Sequence, residues 1–147
     1  PPPFSASGNQ IYRKKSSMTS RSLIFKATAD DHNPVDGVVL RNLMQNTHMG
    51  IDECVIMKNL LEKRIKKTSA DIKYKALKTV VYLSENGAVE FRMQWQRDNG
   101  VLREHTQFKG PPDALRGEVP NQRVRDEAKR AMKAIFNTDQ PKKPTSF

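Results

Sequence analysis

Apolar residues return every three or four positions in run after run of this sequence, and that period limits the chain to helices. The runs are Leu23, Ile24 and Ala27; Val39, Leu40, Leu43 and Met44; Val55, Ile56, Leu60 and Leu61; Ile72, Ala76, Leu77, Val80, Val81 and Leu83; and Val124, Ala128, Ala131, Met132 and Ile135. Each set lines one side of a helix and predicts the face that is buried. No segment alternates strictly between apolar and polar residues with hairpin turns at its ends, so no strand is predicted. The expected fold class is all-α.

Turn formers punctuate the runs. A first helix starts at Ser20 and stops before Asp30-Asp31-His32-Asn33-Pro34, and a second, Val35 to His48, is halted by Gly50. A third, Ile51 to Lys67, ends in lysines and arginines, which favour the negative end of a helix dipole. Thr68 or Ser69 caps a fourth, with Asp71 in its first turn and Gly87 closing it. Val89 to Arg97 and Val101 to Phe108 follow, separated by Asp98-Asn99-Gly100. Consecutive prolines make Gly110 to Pro120 a rigid extended path, and Asn121 to Phe136 is the last helix. The 147 residues suit one helical domain, 20–137, between a flexible tail at 1–19 and another at 138–147 that leads into a longer disordered region of the full-length protein.

The chemistry that the residues exclude is as informative. Cys54 is the single cysteine, so an internal disulfide is ruled out, and no His or Cys stands at metal-ligand spacing from it. A small buried core residue is its expected role. His32, His48 and His105 fall in separate elements, and Asp30-Asp31 sits where carboxylates make Asx turns or cap a helix. There is no G-x-S-x-G elbow, P-loop or G-x-G-x-x-G fingerprint. The sequence therefore predicts a binding module and not an enzyme, with no cofactor and no metal. No apolar run reaches the length of a spanning helix and the N-terminus lacks a signal-peptide block, which points to a soluble, cytoplasmic protein. Trp95 beside Met93 and Phe91 has the make-up of a groove aromatic, but at this spacing the triplet is expected to divide between core and helix surface.

The formal charge of +10 calls for an acidic partner or a well-solvated surface. It is concentrated between Lys58 and Lys78, where eight bases face two acids for a local net of +6. The plain reading is a solvated helix face and loop.

Two stretches carry a family resemblance. Lys26-Ala27-Thr28 with Asp30-Asp31 and Pro34, then Ile56-Met57-Lys58 with Leu61-Glu62-Lys63-Arg64, then Tyr74-Lys75-Ala76-Leu77-Lys78 through Tyr82-Leu83 and Asn86-Gly87, is similar in order and spacing to the ENTH domain of epsins. Phe108-Lys109-Gly110-Pro111-Pro112-Asp113, Leu115-Arg116-Gly117 and Val124-Arg125 resemble the tepsin branch of the ENTH/VHS superfamily, whose plant relatives act in trafficking from the trans-Golgi network to the vacuole. The resemblance spans about Leu23 to Phe136. It implies a right-handed superhelix of about seven helices, no catalytic activity, and an adaptor or accessory role in clathrin- or adaptor-complex-dependent vesicle trafficking. The implied location is cytoplasmic, peripheral to trans-Golgi, endosomal or vesicle membranes. Tepsin itself is an accessory of adaptor protein complex 4, and its adaptor-binding motifs lie beyond the domain.

The resemblance also implies where binding residues fall. Epsin ENTH domains grip a phosphoinositide headgroup with a leading amphipathic helix and with bases near the third and fourth helices. Arg64 and Lys75 match two of those basic positions, whereas Asp71 and Ile72 replace an arginine and a histidine, so the pocket is partial. Arg64, Lys66, Lys67, Lys73 and Lys75 are the candidate contacts to lipid or to an acidic partner. Pro111, Pro112 and Asp113 form a candidate protein-binding loop, set against the plainer reading of a rigid connector. The expected partners are coat or adaptor proteins bound by a monomer, with weak attraction to anionic membrane worth roughly 1 kcal/mol per well-placed base. A phosphoinositide-binding domain is the first alternative. A module like the CTD-interacting domains, linked to RNA, is the second; it ranks low because Tyr74 and Tyr82 are the only aromatics in the basic run.

Overall fold

Side-chain caps decide where three of the seven described α-helices begin. In the computed structural model, which describes residues 18–137, Thr19 Oγ1 accepts from Ser22 N at 3.2 Å and opens α1, Ser20–Ala27. Asp36 accepts from Val38 N at 2.8 Å and opens α2, Gly37–Asn46. Ser69 accepts from Ile72 N at 3.2 Å and opens α4, Ala70–Asn86. Each oxygen satisfies a backbone N–H that the helix cannot pair internally.

The remaining helices are α3, Ile51–Ile65, α5, Val89–Arg97, α6, Gly100–His105, and α7, Val119–Phe136. They wind into a right-handed superhelix of seven helices, with no strand among the described residues. Most of the expected tails, 1–17 and 138–147, lie outside the described residues.

Several boundaries differ from the sequence reading: the second helix starts at Gly37 and not Val35, the third ends at Ile65 and not Lys67, and three more have a local cause. The second helix ends at Asn46, and Thr47–Met49 tightens into a 3-10 turn before Gly50. Gly50 has φ 129°, a value that side-chain-bearing residues rarely adopt. The sixth helix is shorter than expected, because Thr106, Gln107 and Phe108 bond to carbonyls three residues back and not four. The last helix starts earlier, since Pro120 fits a first turn, where its missing N–H costs nothing.

At the centre α4 packs most extensively on α7 and also contacts α1, α2, α3 and α5. Phe91 and Trp95 are the largest fully buried side chains, joined by Leu23, Leu43, Leu61, Leu77, Leu102 and Ile135. Met93 stays exposed, as its spacing implied.

On α3 the expected buried face is only half right. Leu60 and Leu61 face inward, but Val55 and Ile56 are exposed. The buried line runs through Cys54, Met57, Leu61 and Ile65, one helical face at spacings of three and four. Ile56 lies about 100° from Met57 on that wheel, and Val55 twice as far.

Gly87, which ends α4, is fixed by close approach. A Cβ there would lie 2.7 Å from Leu83 O and 2.8 Å from Thr47 Oγ1. Thr47 Oγ1 accepts from Ala88 N at 2.8 Å, so the corner before α5 is built onto the 3-10 turn.

Candidate functional site

The basic segment from Lys58 to Lys78 does not form one exposed cluster. Lys58 is buried on α3, its Nζ donating to Glu62 at 3.0 Å and lying 4.9 Å from the centre of the Trp95 ring. Asp98 Oδ2 is 3.5 Å away. The stem belongs to the core and the charge closes the seam between α3 and α5.

Lys73 is buried as well. Its ammonium donates to Ile65 O at 2.9 Å and to His105 Nε2 at 2.8 Å, and lies 4.9 Å from the Phe108 ring centre. His105 Nδ1 lies 2.8 Å from Val101 O, so the neutral ring donates there and accepts from Lys73 at its other nitrogen. The imidazole stacks on Phe108 with centroids 5.6 Å apart. Burial pushes both the Lys73 and the His105 pKa below their ordinary values, since desolvation penalises the charged forms.

Lys75 points the other way, toward the α1–α2 loop, where it donates to Ala29 O at 3.0 Å and pairs with Asp31. That pairing lowers the Asp31 pKa, helped by the backbone N–H of Asn33. The Asp31–Asn33 contact, 2.9 Å, is the Asx turn expected of this stretch. Asp30, its neighbour, accepts from Ser69 Oγ at 2.7 Å.

Arg64 is half-buried. Its Nε donates to Thr28 Oγ1 and its Nη2 to Thr28 O, both at 2.9 Å, while the guanidinium sits 4.7 Å from the Phe25 ring centre. Lys66 and Lys67 are exposed, with Lys66 loosely paired to Glu62 at 3.8 Å. Of the five candidate bases, then, Lys73 and Lys75 depart from the expected exposed cluster. Both sit on α4, one turned to α6 and the other to the α1–α2 loop, because short backbone carbonyls and paired side chains hold them there.

The proline loop is braced on all sides. Asp113 Oδ2 accepts from Leu115 N and Arg116 N, each at 2.9 Å, and Asp113 exchanges two backbone bonds with Gly117, whose φ is 62°. Arg116 forks between Asp71, at 3.1 and 3.2 Å, and Asp113, at 3.1 Å. The Arg116 bond, followed by the two backbone donors, holds the Asp113 carboxyl down at about 2. On the other side Asn121 Nδ2 donates to Gly110 O at 3.0 Å and Pro111 O at 3.1 Å, and Arg125 donates to Phe108 O at 2.8 Å. Pro111 and Pro112 are exposed, and Leu115 stands 94% exposed at the tip of the turn.

Two of the surface hollows are rimmed by charged side chains. One of about 450 Å³ lies between α4 and α7, with Val81 and Ala134 flanked by Glu85, Arg130 and Lys133. The other, about 110 Å³, lies between α1 and α3 beside Phe25 and Leu60. Among the described residues no group of His, Cys, Asp and Glu is disposed to hold a metal ion, and no helix is long and apolar enough to cross a membrane. Cys54 donates to Thr47 O at 3.2 Å, and burial pushes its thiol up to about 11, so it is not a ready nucleophile. Tyr74 is covered by the Arg123 guanidinium at 4.0 Å and packs on the core, which leaves no open stacking face of the kind that single-stranded nucleic acid uses.

Sequence reasoning missed Phe25, Arg21 and Arg116. The signal for Phe25 was available: it lies off the Leu23, Ile24, Ala27 face, so an α1 helix must display it. Arg116 had no such signal, since its partner Asp71 is far away in sequence.

The comparisons with known proteins agree with this geometry. The family model for the ENTH domain matches residues 18–140. The chain is 30% identical over 125 residues to the AP-4 complex accessory subunit Tepsin of Rattus norvegicus, covering 84% of this chain and 22% of that protein. It is 29% identical over 130 residues to the protein MODIFIED TRANSPORT TO THE VACUOLE 1 of Arabidopsis thaliana, covering 86% of this chain and 19% of that one. The chain thus spans about a fifth of the length of these relatives. Among solved structures, an ENTH-VHS domain from Arabidopsis thaliana superposes with a TM-score of 0.78 at 26% identity, over 89% of this chain and 94% of that one. A helical superhelix with this capping, this core and this sequence match belongs to the ENTH domain family.

Proposed function

We infer that the chain is a non-enzymatic adaptor or accessory module in clathrin- or adaptor-complex-dependent vesicle trafficking, working by protein binding. Its place is the cytoplasmic side of trans-Golgi, endosomal or vesicle membranes. The family and the likeness to an AP-4 accessory subunit and a vacuolar-transport protein support the trafficking role.

One observation favours protein over lipid as the principal ligand. Lys73 and Lys75 are 6% and 5% exposed and spend their ammoniums on partners within the domain. Of the five candidate bases only Arg64, Lys66 and Lys67 are left for a phosphoinositide grip, and Arg64 already holds Thr28. What remains of the charge supplies diffuse attraction to anionic membrane, which salt screens. The loop at Pro111, Pro112 and Asp113 offers a different kind of surface, two exposed prolines on a turn preorganised by the bonds of the Asp113 carboxylate.

The test is a pair of measurements. Pull-down from cytosol with this domain and with the longer protein should recover subunits of a coat or adaptor complex. Sedimentation with vesicles containing a phosphatidylinositol phosphate should fall away at physiological salt. Salt-resistant binding that depends on one phosphoinositide would replace this reading with the lipid-sensing one.

A further inference from the structure

We propose that the groove between α1 and α3 is a docking site for an acidic peptide that inserts one bulky apolar side chain. The inference rests on the protein-binding reading above and names the chemistry of the partner. The floor is apolar: Phe25, 45% exposed, and Leu60 line a hollow of about 110 Å³. Small-molecule sites usually enclose about 300–1,000 Å³, so this one has room for a single side chain of a larger ligand.

The rim is basic. Arg21, Lys63, Arg64 and Lys67 line the same hollow. Arg21, Lys63 and Lys67 are exposed, and none has a carboxylate partner among the described residues. These three cations beside an exposed aromatic ring complement carboxylates flanking an apolar anchor, and they speed its capture. Arg64 contributes differently. Locked on Thr28 and laid over the ring, it fixes the pose of Phe25 and keeps the floor open.

A polyphosphate headgroup fits the same place less well. It has no apolar part to fill the floor that Phe25 and Leu60 make. A membrane surface is therefore an outcome to test and not the proposal.

Fluorescence anisotropy on the whole chain decides it, with a short synthetic peptide in which one phenylalanine is flanked by glutamates. A twin peptide carries serine in place of the phenylalanine. The phenylalanine peptide should bind roughly tenfold tighter than its twin. Lys63→Glu with Lys67→Glu, and separately Phe25→Ser, should each weaken it by about tenfold. These positions are exposed, so folding is preserved. Lys129→Glu with Lys133→Glu, the same charge change on exposed sites of α7, should leave affinity within about twofold. Equal binding of both peptides, or equal loss in both charge-reversed variants, reduces the effect to nonspecific attraction and overturns the proposal. So does displacement of the peptide at physiological salt by phosphatidylcholine vesicles carrying phosphatidylinositol bisphosphate, which would make the rim a lipid site. Failure of the peptide to bind overturns the groove alone, because the adaptor reading has its own pull-down test.

Discussion

Lys73 Nζ and His105 Nε2 lie 2.8 Å apart inside the domain, one ammonium and one neutral ring sharing a single proton-mediated contact. The arrangement holds only while the imidazole is uncharged, because a second proton would turn the acceptor into a donor facing a cation. Glu104 is the nearby acid whose field opposes that penalty, and desolvation outweighs it.

Stability should accordingly depend on pH. The unfolded chain protonates His105 near pH ~6.5, whereas the folded chain does so only at lower pH. Between those values the unfolded state binds more protons, so stability falls as the pH falls through the window. Thermal melts across it should show that slope, and His105→Leu should remove its largest part. The same variant should cost about 1–3 kcal/mol at neutral pH, since Lys73 loses an acceptor while remaining buried.

The corrected face of α3 makes a paired prediction. Leu61→Ala, at a fully buried site, should cost about 2–5 kcal/mol in denaturant unfolding. Ile56→Ser, on the exposed side, should stay within about 0.5 kcal/mol. The reverse order would return Ile56 to the core.

Cys54 should resist alkylation in the folded protein. Its thiol is raised to about 11 and fully buried, so almost no thiolate is present or reachable near neutral pH. Iodoacetamide labelling should track global unfolding, accelerating in urea in step with the loss of helical circular dichroism.

Arg116 should not be replaceable by lysine. It makes paired bonds to Asp71 and a further bond to Asp113, and lysine has no planar fork to reproduce them. Arg116→Lys and Arg116→Ala should lower Tm by similar amounts. The Asp113 carboxyl then loses its main stabiliser, and NMR titration should find its pKa moved up from about 2 toward the ordinary carboxylate range.

The parts of the domain written in local pattern were legible. Ser69 could be predicted to start a helix because a cap acts over three residues, and Gly50 and Gly87 could be placed as stops for the same reason, whereas the caps at Thr19 and Asp36 went unread. The Asp31–Asn33 turn and the buried Cys54 also follow from near neighbours. What escaped depends on distance along the chain. Lys73 and Lys75 looked like surface bases because their acceptors, Ile65 O, His105, Ala29 O and Asp31, are assembled only by the fold. Val55 and Ile56 were misplaced because four apolar residues spread over two faces of one helix do not say which face meets the core. The groove beside Phe25 lay between two helices whose adjacency no single run could report.

The broad contact between α4 and α7 has a consequence for synthesis. The helix at the middle of the fold gives its most extensive face to α7, the last helix among the described residues. A chain emerging from the ribosome must carry that face of α4 uncovered until residues near Phe136 are free. A chain cut ahead of Val119 lacks the helix that covers the most extensive face of α4.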